Sequence, residues 1–532
     1  MTTNRTCGEA VVGWLESFGV DTVFGMPGVH TLELYRGLAG SRIHHVLARH
    51  EQGAGFMADG YARASGRPGV CLLITGPGVT NAATPIGEAY SDSVPVLIVS
   101  SVNARADLGM GRGRLHEIAD QQAVTAPLTA FSRTALDAAD VPELLARAFA
   151  RFAGGRPRPV HLSLPLDVLA APAAGDAARA LPQAPLPAPA AIDRAAAILG
   201  AAERPVIIAG GGAQHAGAEV TRLAERLGAA VVLTIAGKGI VDEAHPACLG
   251  ARLHRAPVQA LLAAADVVVA VGTELAETDA WCERLDIPGR LVRIDIDAET
   301  AVRDYAPAAA VVGDARAALA TLLEVLPETG RGFAAAEIAA VRTQVTNQMT
   351  ALERRHVRLL SALREALPAD AMVASDMTQI AYTGNEWFPC AQPRSWFHPV
   401  GYGTLGYALP AAIGARLGAP RRPSAVLVGD GGLLFTVQEL ATAVELALPL
   451  AIVLWNNDGL GQIREGMIEK GITPIGVSPR NPDYRKLAEA FGCATARPAS
   501  LDAFQRAVVG ALAADRPSLI EVREDAPFLD GD

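Results

Sequence analysis

Two oxygen-bearing side chains, Asp430 and Asn457, each follow an apolar segment in the last third of the chain. Uninterrupted apolar residues at 425–428 and 450–455 predict buried parallel strands, and helical spacing at 438–446 predicts the crossover helix between them. Because the parallel strands of such a βαβ unit end at one edge of the sheet, we expect both side chains at one small site. A carboxylate and an amide oxygen are suited to Mg²⁺.

Glycines flank the aspartate, and Gly431 and Gly432 let backbone amides approach a phosphate closely. A lone Gly-Asp-Gly is usually only a strand-to-helix turn. Its order with a helix, an apolar strand and Asn-Asn resembles the thiamine diphosphate signature of the pyruvate decarboxylase and acetolactate synthase superfamily. The resemblance implies that Asp430, Asn457 and the main-chain carbonyl of Gly459 hold Mg²⁺ on the cofactor diphosphate, with Asn457 beside the cofactor.

Motifs near the amino terminus resemble the pyrimidine-binding domain of the same superfamily. They are Phe-Gly-Met-Pro-Gly at 24–28, Arg-His-Glu-Gln-Gly at 49–53 and Thr-Gly-Pro-Gly-Val-Thr-Asn at 75–81. The resemblance implies that Glu51 bonds to the aminopyrimidine ring and makes its amino nitrogen basic, with Pro27 and Gly76 at the cofactor. Taken alone, Glu51 is better explained as a helix-start glutamate stabilised by the helix dipole. The distant Asp430 unit favours the catalytic interpretation.

A third segment, residues 401–415, resembles the part of these enzymes that lies under the cofactor. The resemblance implies that Leu405 bends the cofactor and that the carbonyl of Gly403 accepts a hydrogen bond from its amino group. In isolation, Leu405 is better explained as a core leucine. Thr378 and Gln379 fall where the superfamily contacts the diphosphate.

Composition limits the class of protein. Of 532 residues, half are hydrophobic and 19% are charged, which is an ordinary globular balance, and the length allows three or four domains of about 150 residues. The net charge of -10 argues against nucleic acid and anionic membranes as partners. Six dispersed cysteines without a Cys-x-x-Cys pair, and the lack of a signal sequence or long apolar run, predict a cytoplasmic protein.

The predicted fold class is α/β, with three doubly wound parallel-sheet domains. They are a pyrimidine-binding domain at 1–170, a linker at 171–191, a nucleotide-like middle domain at 192–328 and a diphosphate-binding domain at 345–525. Acetolactate synthases hold FAD in the corresponding middle domain. FAD is possible here but not expected, because a dinucleotide fingerprint starting at Gly210 and Gly212 would need a third glycine where His215 stands.

The resemblance also implies a reaction and an assembly. Each site takes its two halves from different subunits, so the minimum is a homodimer and a homotetramer is expected. The expected reaction is decarboxylation of a small 2-oxo acid, dependent on thiamine diphosphate and Mg²⁺. The alternative is a carboligase, similar to acetolactate synthase, that joins the decarboxylated fragment to a second carbonyl.

Two differences from acetolactate synthases favour decarboxylation. The synthases carry Phe-Gln-Glu where this chain has Leu115, His116 and Glu117. Their middle domain uses an arginine to engage a second carboxylate, whereas the similar segment here, 272–279, is acidic. Acidic side chains at this place would favour a cationic substrate such as a guanidinium. The alternative explanation is a solvated helix start.

The combined motifs around His30, His116, Asn385 and Gln462 resemble the 2-ketoarginine decarboxylase branch, which implies conversion of 5-guanidino-2-oxopentanoate into 4-guanidinobutanal. His30 and His116 are candidates for proton transfer and carboxylate contact, because imidazole changes protonation near neutral pH. A lone histidine is more often a packing or surface residue. Pyruvate decarboxylases carry a glutamate where Ile463 stands, so a water held by Gln462 is a further candidate.

Overall fold

The structure is a computed structural model that describes residues 5–176, 179–327 and 331–530. Three parallel sheets follow one another along these ranges. None of the helices described is both long enough and apolar enough to cross a bilayer. The predicted domain ends at residues 1 and 328, and residues 177 and 178 of the predicted linker, lie outside the described residues.

The first sheet has six parallel strands. The strands are β1 Thr22–Gly25, β2 His44–Leu47, β3 Gly69–Leu73, β4 Val96–Val102, β5 Phe131–Thr134 and β6 Val160–Pro165. The α-helices of this part are α1 Cys7–Ser17, α2 Leu32–Leu38, α3 Glu51–Ser65, α4 Pro77–Asn81, α5 Ala83–Ser91, α6 Gln121–Thr125, α7 Val141–Gly154 and α8 Leu166–Ala170. The spatial order is β2-β1-β3-β4-β6-β5.

The middle sheet has five parallel strands. They are β7 Pro205–Ala209, β8 Ala230–Leu233, β9 Val267–Val271, β10 Arg290–Asp295 and β11 Ala309–Val312. The α-helices are α9 Pro189–Gly200, α10 Gly217–Leu227, α11 Ala256–Ala263, α12 Glu277–Ala280 and α13 Ala315–Val325. The spatial order is β11-β10-β9-β7-β8.

The last sheet again has six parallel strands, preceded by two helices. The helices before it are α14 Ala335–Asn347 and α15 Ala351–Ala366. The strands are β12 Met372–Ser375, β13 Trp396–Phe397, β14 Ser424–Gly429, β15 Leu450–Asn456, β16 Ala494–Ala496 and β17 Ser518–Arg523. The other α-helices are α16 Gln379–Trp387, α17 Ala408–Gly418, α18 Asp430–Leu433, α19 Glu439–Glu445, α20 Gly461–Glu469, α21 Tyr484–Ala490 and α22 Leu501–Leu512. The spatial order is β13-β12-β14-β15-β17-β16.

The inner strands of the first sheet, β1, β3, β4 and β6, are buried on both faces. Successive residues of a strand point to opposite faces, and in β3 Val70 and Leu72 pack in one hydrophobic core while Cys71 and Leu73 pack in another. Cover on both faces explains why these strands are apolar without alternation. The parallel sheets with flanking helices confirm the predicted α/β fold class.

The predicted strand–helix–strand unit around Asp430 is present. β14 and β15 pair in parallel with Gly429 opposite Trp455, and α19 forms the crossover. Because β14 ends at this register and β15 ends one residue beyond it, the residues that follow them, Asp430 and Asn457, lie at one edge of the sheet, as predicted.

The first and last sheets are held together by α3 and α17. A Cβ at Gly60 would collide with the carbonyl of Ala411, and one at Gly414 would collide with the carbonyl of Met57. The helices therefore approach backbone to backbone, which only glycine permits at these positions. Residues from both sheets share one hydrophobic core across this contact.

Candidate active site

Asp430 is the first residue of α18, directly after β14. Its Oδ2 accepts hydrogen bonds from the backbone N–H of Gly459 at 3.0 Å and from the side-chain amide of Asn481 at 2.6 Å. Burial raises the pKa of this carboxyl above its ordinary value, and these hydrogen bonds oppose the shift by stabilising the carboxylate. With Oδ2 occupied, Oδ1 is the oxygen available to a ligand.

Three oxygen atoms converge beside Asp430. Asn457 Oδ1 lies 3.3 Å from Asp430 Oδ1 and 2.7 Å from the carbonyl oxygen of Gly459. Neighbouring ligands of an octahedral Mg²⁺, each about 2.1 Å from the ion, lie about 3 Å apart. These residues, here called the oxygen cluster, therefore fit Mg²⁺ with positions left for phosphate and water. Within the described ranges, no group of three or more His, Cys, Asp or Glu side chains forms another metal site.

The predicted diphosphate contacts surround the oxygen cluster. A Cβ at Gly431 would meet only the side chain of Leu460, at 3.2 Å, so its backbone is open to a ligand. Gly432 is buried against Asp376, and Thr378 lies beside Gly429. Their contacts to a phosphate stay predictions.

The predicted diphosphate donor Gln379 already has two side-chain partners. Its Nε2 donates to Glu465 at 2.9 Å, and its Oε1 accepts from Asn457 Nδ2 at 3.2 Å. The amide of Gln379 is therefore engaged with Asn457, which belongs to the oxygen cluster. Its predicted contact to the diphosphate stays a prediction.

Asp376 fixes the loop that carries Gly403 and Leu405. Its Oδ1 accepts from the backbone N–H of Gly406 at 3.1 Å, and its Oδ2 accepts from that of Ala408 at 3.2 Å. Burial raises the pKa of Asp376 to about 6. The sequence showed no such role, because the bonds join segments that are far apart along the chain.

Glu51, His30 and His116 lie around a turn of the first sheet. Glu51 is the first residue of α3, and its Oε2 accepts a hydrogen bond from the side-chain amide of Asn81 at 3.0 Å. The rings of His30 and His116 meet edge to face, with centroids 5.2 Å apart. A Cβ at Gly76 would approach the carbonyl oxygen of His116 to 2.6 Å. We call these five residues the histidine–glutamate cluster; the predicted residue Pro27 is exposed on the same loop as His30.

Each of the two histidines has a buried ring nitrogen that makes no hydrogen bond to the described residues. These atoms are Nδ1 of His30 and Nδ1 of His116. Burial and the nearby charge of His116 lower the pKa of His30. A buried polar atom without a partner costs about 1–3 kcal/mol, which a ligand that bonds to it recovers.

Gln121 supports the turn at Gly76, a role that the sequence did not reveal. Its Oε1 accepts hydrogen bonds from the backbone N–H of Gly76 at 2.9 Å and the hydroxyl of Thr75 at 3.0 Å. Its Nε2 donates to Ser100 and Ser163, both at 3.0 Å. This buried network holds Gly76 in its left-handed conformation, with φ +65°.

The two clusters do not meet within the described part of this chain. No hydrogen bond or ring contact between described residues joins the histidine–glutamate cluster to the oxygen cluster. Exposed apolar side chains flank each of them. Beside the first cluster lie Val29, Leu32 and Leu115, and beside the second lie Leu434, Phe435 and Ile463.

Three family models match the chain. The thiamine pyrophosphate enzyme N-terminal TPP binding domain matches residues 5–124, the central domain matches 192–322 and the C-terminal TPP binding domain matches 376–522. The chain belongs to the thiamine pyrophosphate enzyme family. It is an enzyme that depends on thiamine diphosphate, and the two matched TPP-binding domains contain the two clusters.

Curated relatives cover nearly the whole chain. A Pseudomonas aeruginosa protein named "Probable 2-ketoarginine decarboxylase AruI" is 55% identical over 97% of this chain and 94% of its own length. The Escherichia coli "Acetolactate synthase isozyme 1 large subunit" is 31% identical over 98% of this chain and 94% of its own length. The Corynebacterium glutamicum "Acetolactate synthase large subunit" is 32% identical over 98% of this chain and 87% of its own length.

The acidic side chains of segment 272–279 lie in different surroundings, and Glu277 is exposed at the first residue of α12, as expected of a solvated helix start. Glu274 forms ion pairs with Arg156 at 2.7 Å and Arg303 at 2.6 Å, and despite its burial these arginines lower its pKa to about 2. Its charge is already neutralised within the chain. Glu274 is therefore neither an unpaired acceptor for a substrate guanidinium nor a solvated helix start, and the binding of a guanidinium by the segment as a whole stays a prediction.

The glycines of the middle domain approach protein rather than ligand. A Cβ at Gly210 would lie 2.5 Å from the carbonyl oxygen of Gly272, and one at Gly212 would lie 2.8 Å from the Cα of Gly272. The missing side chains of these glycines therefore make room for the backbone at Gly272, which belongs to the chain itself. That FAD is not expected in the middle domain stays a prediction.

Proposed function

We propose that the chain decarboxylates 5-guanidino-2-oxopentanoate, releasing 4-guanidinobutanal and CO₂, with thiamine diphosphate and Mg²⁺. The observation that carries this proposal is the 55% identity, over nearly the whole chain, to a protein named as a probable 2-ketoarginine decarboxylase. Identity to the acetolactate synthases cited above is 31% and 32%. The replacement of their Phe-Gln pair by Leu115 and His116 supports a different fate for the reaction.

The oxygen cluster and its neighbours hold the cofactor in this proposal. Asp430, Asn457 and Gly459 bind Mg²⁺, while the backbone at Gly431 and Gly432 and the side chains of Thr378 and Gln379 contact the diphosphate. When bound, thiamine diphosphate supplies the electron sink that makes loss of CO₂ possible.

The ring of the cofactor is held from both sides. Leu405 would support the ring, the carbonyl of Gly403 would orient its amino group, and Pro27 and Gly76 would contact it. Glu51 would bond to the ring nitrogen and so make the amino group basic. The bond from Asn81 fixes the Glu51 carboxylate for this task.

His30, His116 and Gln462 handle the substrate. The unpartnered Nδ1 atoms of the two histidines offer hydrogen bonds to the substrate carboxylate and a route for the proton that replaces it. Gln462 is exposed at the start of α20 and holds a water there. This water is the proposed second proton source, because Ile463, which replaces the glutamate of pyruvate decarboxylases, cannot donate a proton.

Each site is completed by a second copy of the chain. The separation of the two clusters and the exposed apolar side chains beside each support a homodimer, and a homotetramer is the expected assembly.

The domains are proposed at 1–170, 192–328 and 345–525 with a linker at 171–191. Six free cysteines support a reducing compartment, the cytoplasm.

A substrate panel tests the proposal. CO₂ release is measured with thiamine diphosphate and Mg²⁺ on 5-guanidino-2-oxopentanoate, pyruvate, benzoylformate and branched-chain 2-oxo acids. We expect the highest kcat/KM for the guanidino acid, with one 4-guanidinobutanal formed per CO₂. A wide preference for pyruvate, with acetolactate as the product, would overturn the proposal and favour the carboligase.

A further inference from the structure

A three-residue hydrogen-bond relay leads into the oxygen cluster from α20. Glu465 Oε2 accepts from Gln379 Nε2 at 2.9 Å, and Gln379 Oε1 accepts from Asn457 Nδ2 at 3.2 Å. Glu465 lies one turn beyond Gly461, outside the residues described above as holding metal or cofactor. The relay connects α20 to a proposed metal ligand.

The chemistry of Glu465 sets the direction of every bond in this relay. A carboxylate only accepts hydrogen bonds, whereas a primary amide has a donating and an accepting end. Gln379 must therefore turn its NH₂ toward Glu465 and its oxygen toward Asn457. Asn457 must then donate to Gln379, which leaves its own oxygen facing Asp430.

The opposite orientation of Asn457 has the same shape and is the competing state. Rotated by half a turn, its NH₂ would donate to Asp430 Oδ1 at 3.3 Å and to the carbonyl of Gly459 at 2.7 Å. Hydrogens would then fill the space between these oxygens and exclude a cation. That orientation also brings the Asn457 oxygen against Gln379 Oε1, a repulsive contact while Glu465 holds Gln379.

The packing around the relay leaves little room for other arrangements. A Cβ at Gly461 would lie 2.4 Å from Gln379 Oε1 and 2.7 Å from Asn457 Nδ2. Helix α20 thus encloses the two amide groups on one side. The other orientation that fits the same space is rotation of an amide by 180°, which exchanges its oxygen and its NH₂ group.

We propose that Glu465 is a positioning residue, which acts through Gln379 to hold the Asn457 amide with its oxygen toward the metal. The inference rests on the proposed function, because it takes the oxygen cluster to be the Mg²⁺ site. It assigns a role in metal affinity to a side chain that touches neither metal nor substrate.

Metal binding measures this role without reference to turnover. The dissociation constant of Mn²⁺ is determined by electron paramagnetic resonance with thiamine diphosphate present. We expect Glu465→Gln to weaken Mn²⁺ binding by about 10- to 100-fold, the usual effect of losing a partner that orients a metal ligand. Glu469→Gln removes the same charge from an exposed place on the same helix and is expected to leave the affinity unchanged.

Two further variants separate orientation from charge. The double variant E465Q/Q379E places the acceptor-only group next to Asn457, which must still donate, so we expect most of the affinity to return. Gln379→Leu removes the acceptor by another route and is expected to weaken binding as Glu465→Gln does. A loss caused by charge alone would shrink in high salt.

The outcomes are distinguishable. Wild-type affinity in Glu465→Gln would overturn the inference, as would a loss that disappears in high salt. Failure of the wild-type protein to bind Mn²⁺ with thiamine diphosphate would instead overturn the metal site of the proposed function.

Discussion

His116 is either a packing residue or a residue that contacts the substrate. Its backbone is in the left-handed region with φ +58°, and its ring lies against His30 with Nδ1 unpartnered among the described residues. A histidine that served only packing would gain nothing from this strain and this unpaired nitrogen. The geometry supports a contact with the substrate.

His116→Ala should therefore slow turnover by about 100-fold or more, the usual contribution of a positioned proton donor. The affinity for thiamine diphosphate should change little, because the oxygen cluster is untouched. Steady-state kinetics and a cofactor titration measure the two effects separately. His44→Ala, at an exposed histidine of β2, is the control, and unchanged turnover in His116→Ala would remove the catalytic role.

The contact between α3 and α17 is the element on which the relative position of the first and last sheets depends. Tyr407 donates to Asp59 at 2.7 Å, and Asp59 also accepts from Arg63 at 2.6 Å, so a buried polar network accompanies the backbone contact. Glu439 adds a second connection, since it accepts from the backbone N–H of Arg49 at 3.1 Å.

Gly414→Ala tests the helix contact. The added methyl group collides with the carbonyl of Met57, and we expect a loss of about 1–3 kcal/mol in the free energy of unfolding, as for overpacked cores. Gly510→Ala in α22 meets nothing within 4 Å and should stabilise the protein by up to about 1 kcal/mol through helix propensity. Denaturant unfolding compares the two, and equal effects would contradict the backbone contact.

Glu439 gives the same contact a pH dependence. Burial raises its pKa from the ordinary 4.5 to about 7. Between these values the folded protein binds more protons than the unfolded chain at this residue, so its contribution to stability falls as pH rises. Glu439→Gln should therefore gain in melting temperature relative to the wild type on going from about pH 5 to about pH 8. A constant difference between the two proteins would show that Glu439 does not titrate in this window.

Elements could be predicted from the sequence more fully than the contacts between them. The strands and helix around Asp430 follow from apolar periodicity and glycine positions, and the shared edge follows from parallel pairing. Asn481 could not be predicted as a partner of Asp430, because 51 residues separate them and loop packing decides the contact. The pairing of Glu274 with arginines from other segments was missed for the same reason.

The whole molecule contains both halves of a cofactor site but does not join them within the described chain. Val29 is 60% exposed beside His30, and Phe435 is 52% exposed four residues after Gly431. Apolar side chains of this size next to functional residues fit an interface that a second copy covers. In the proposed homodimer, the histidine–glutamate cluster of each chain would lie over the oxygen cluster of the other.

Mixed oligomers of two inactive variants measure this arrangement. Chains carrying Glu51→Gln and chains carrying Asp430→Asn are coexpressed with different tags, and oligomers containing both are isolated by two affinity steps. If each site uses two chains, one of the two sites in a mixed dimer carries both defects and the other carries none, so decarboxylation should return to about half of the wild-type rate. Activity as low as that of either variant alone would contradict a site shared between chains.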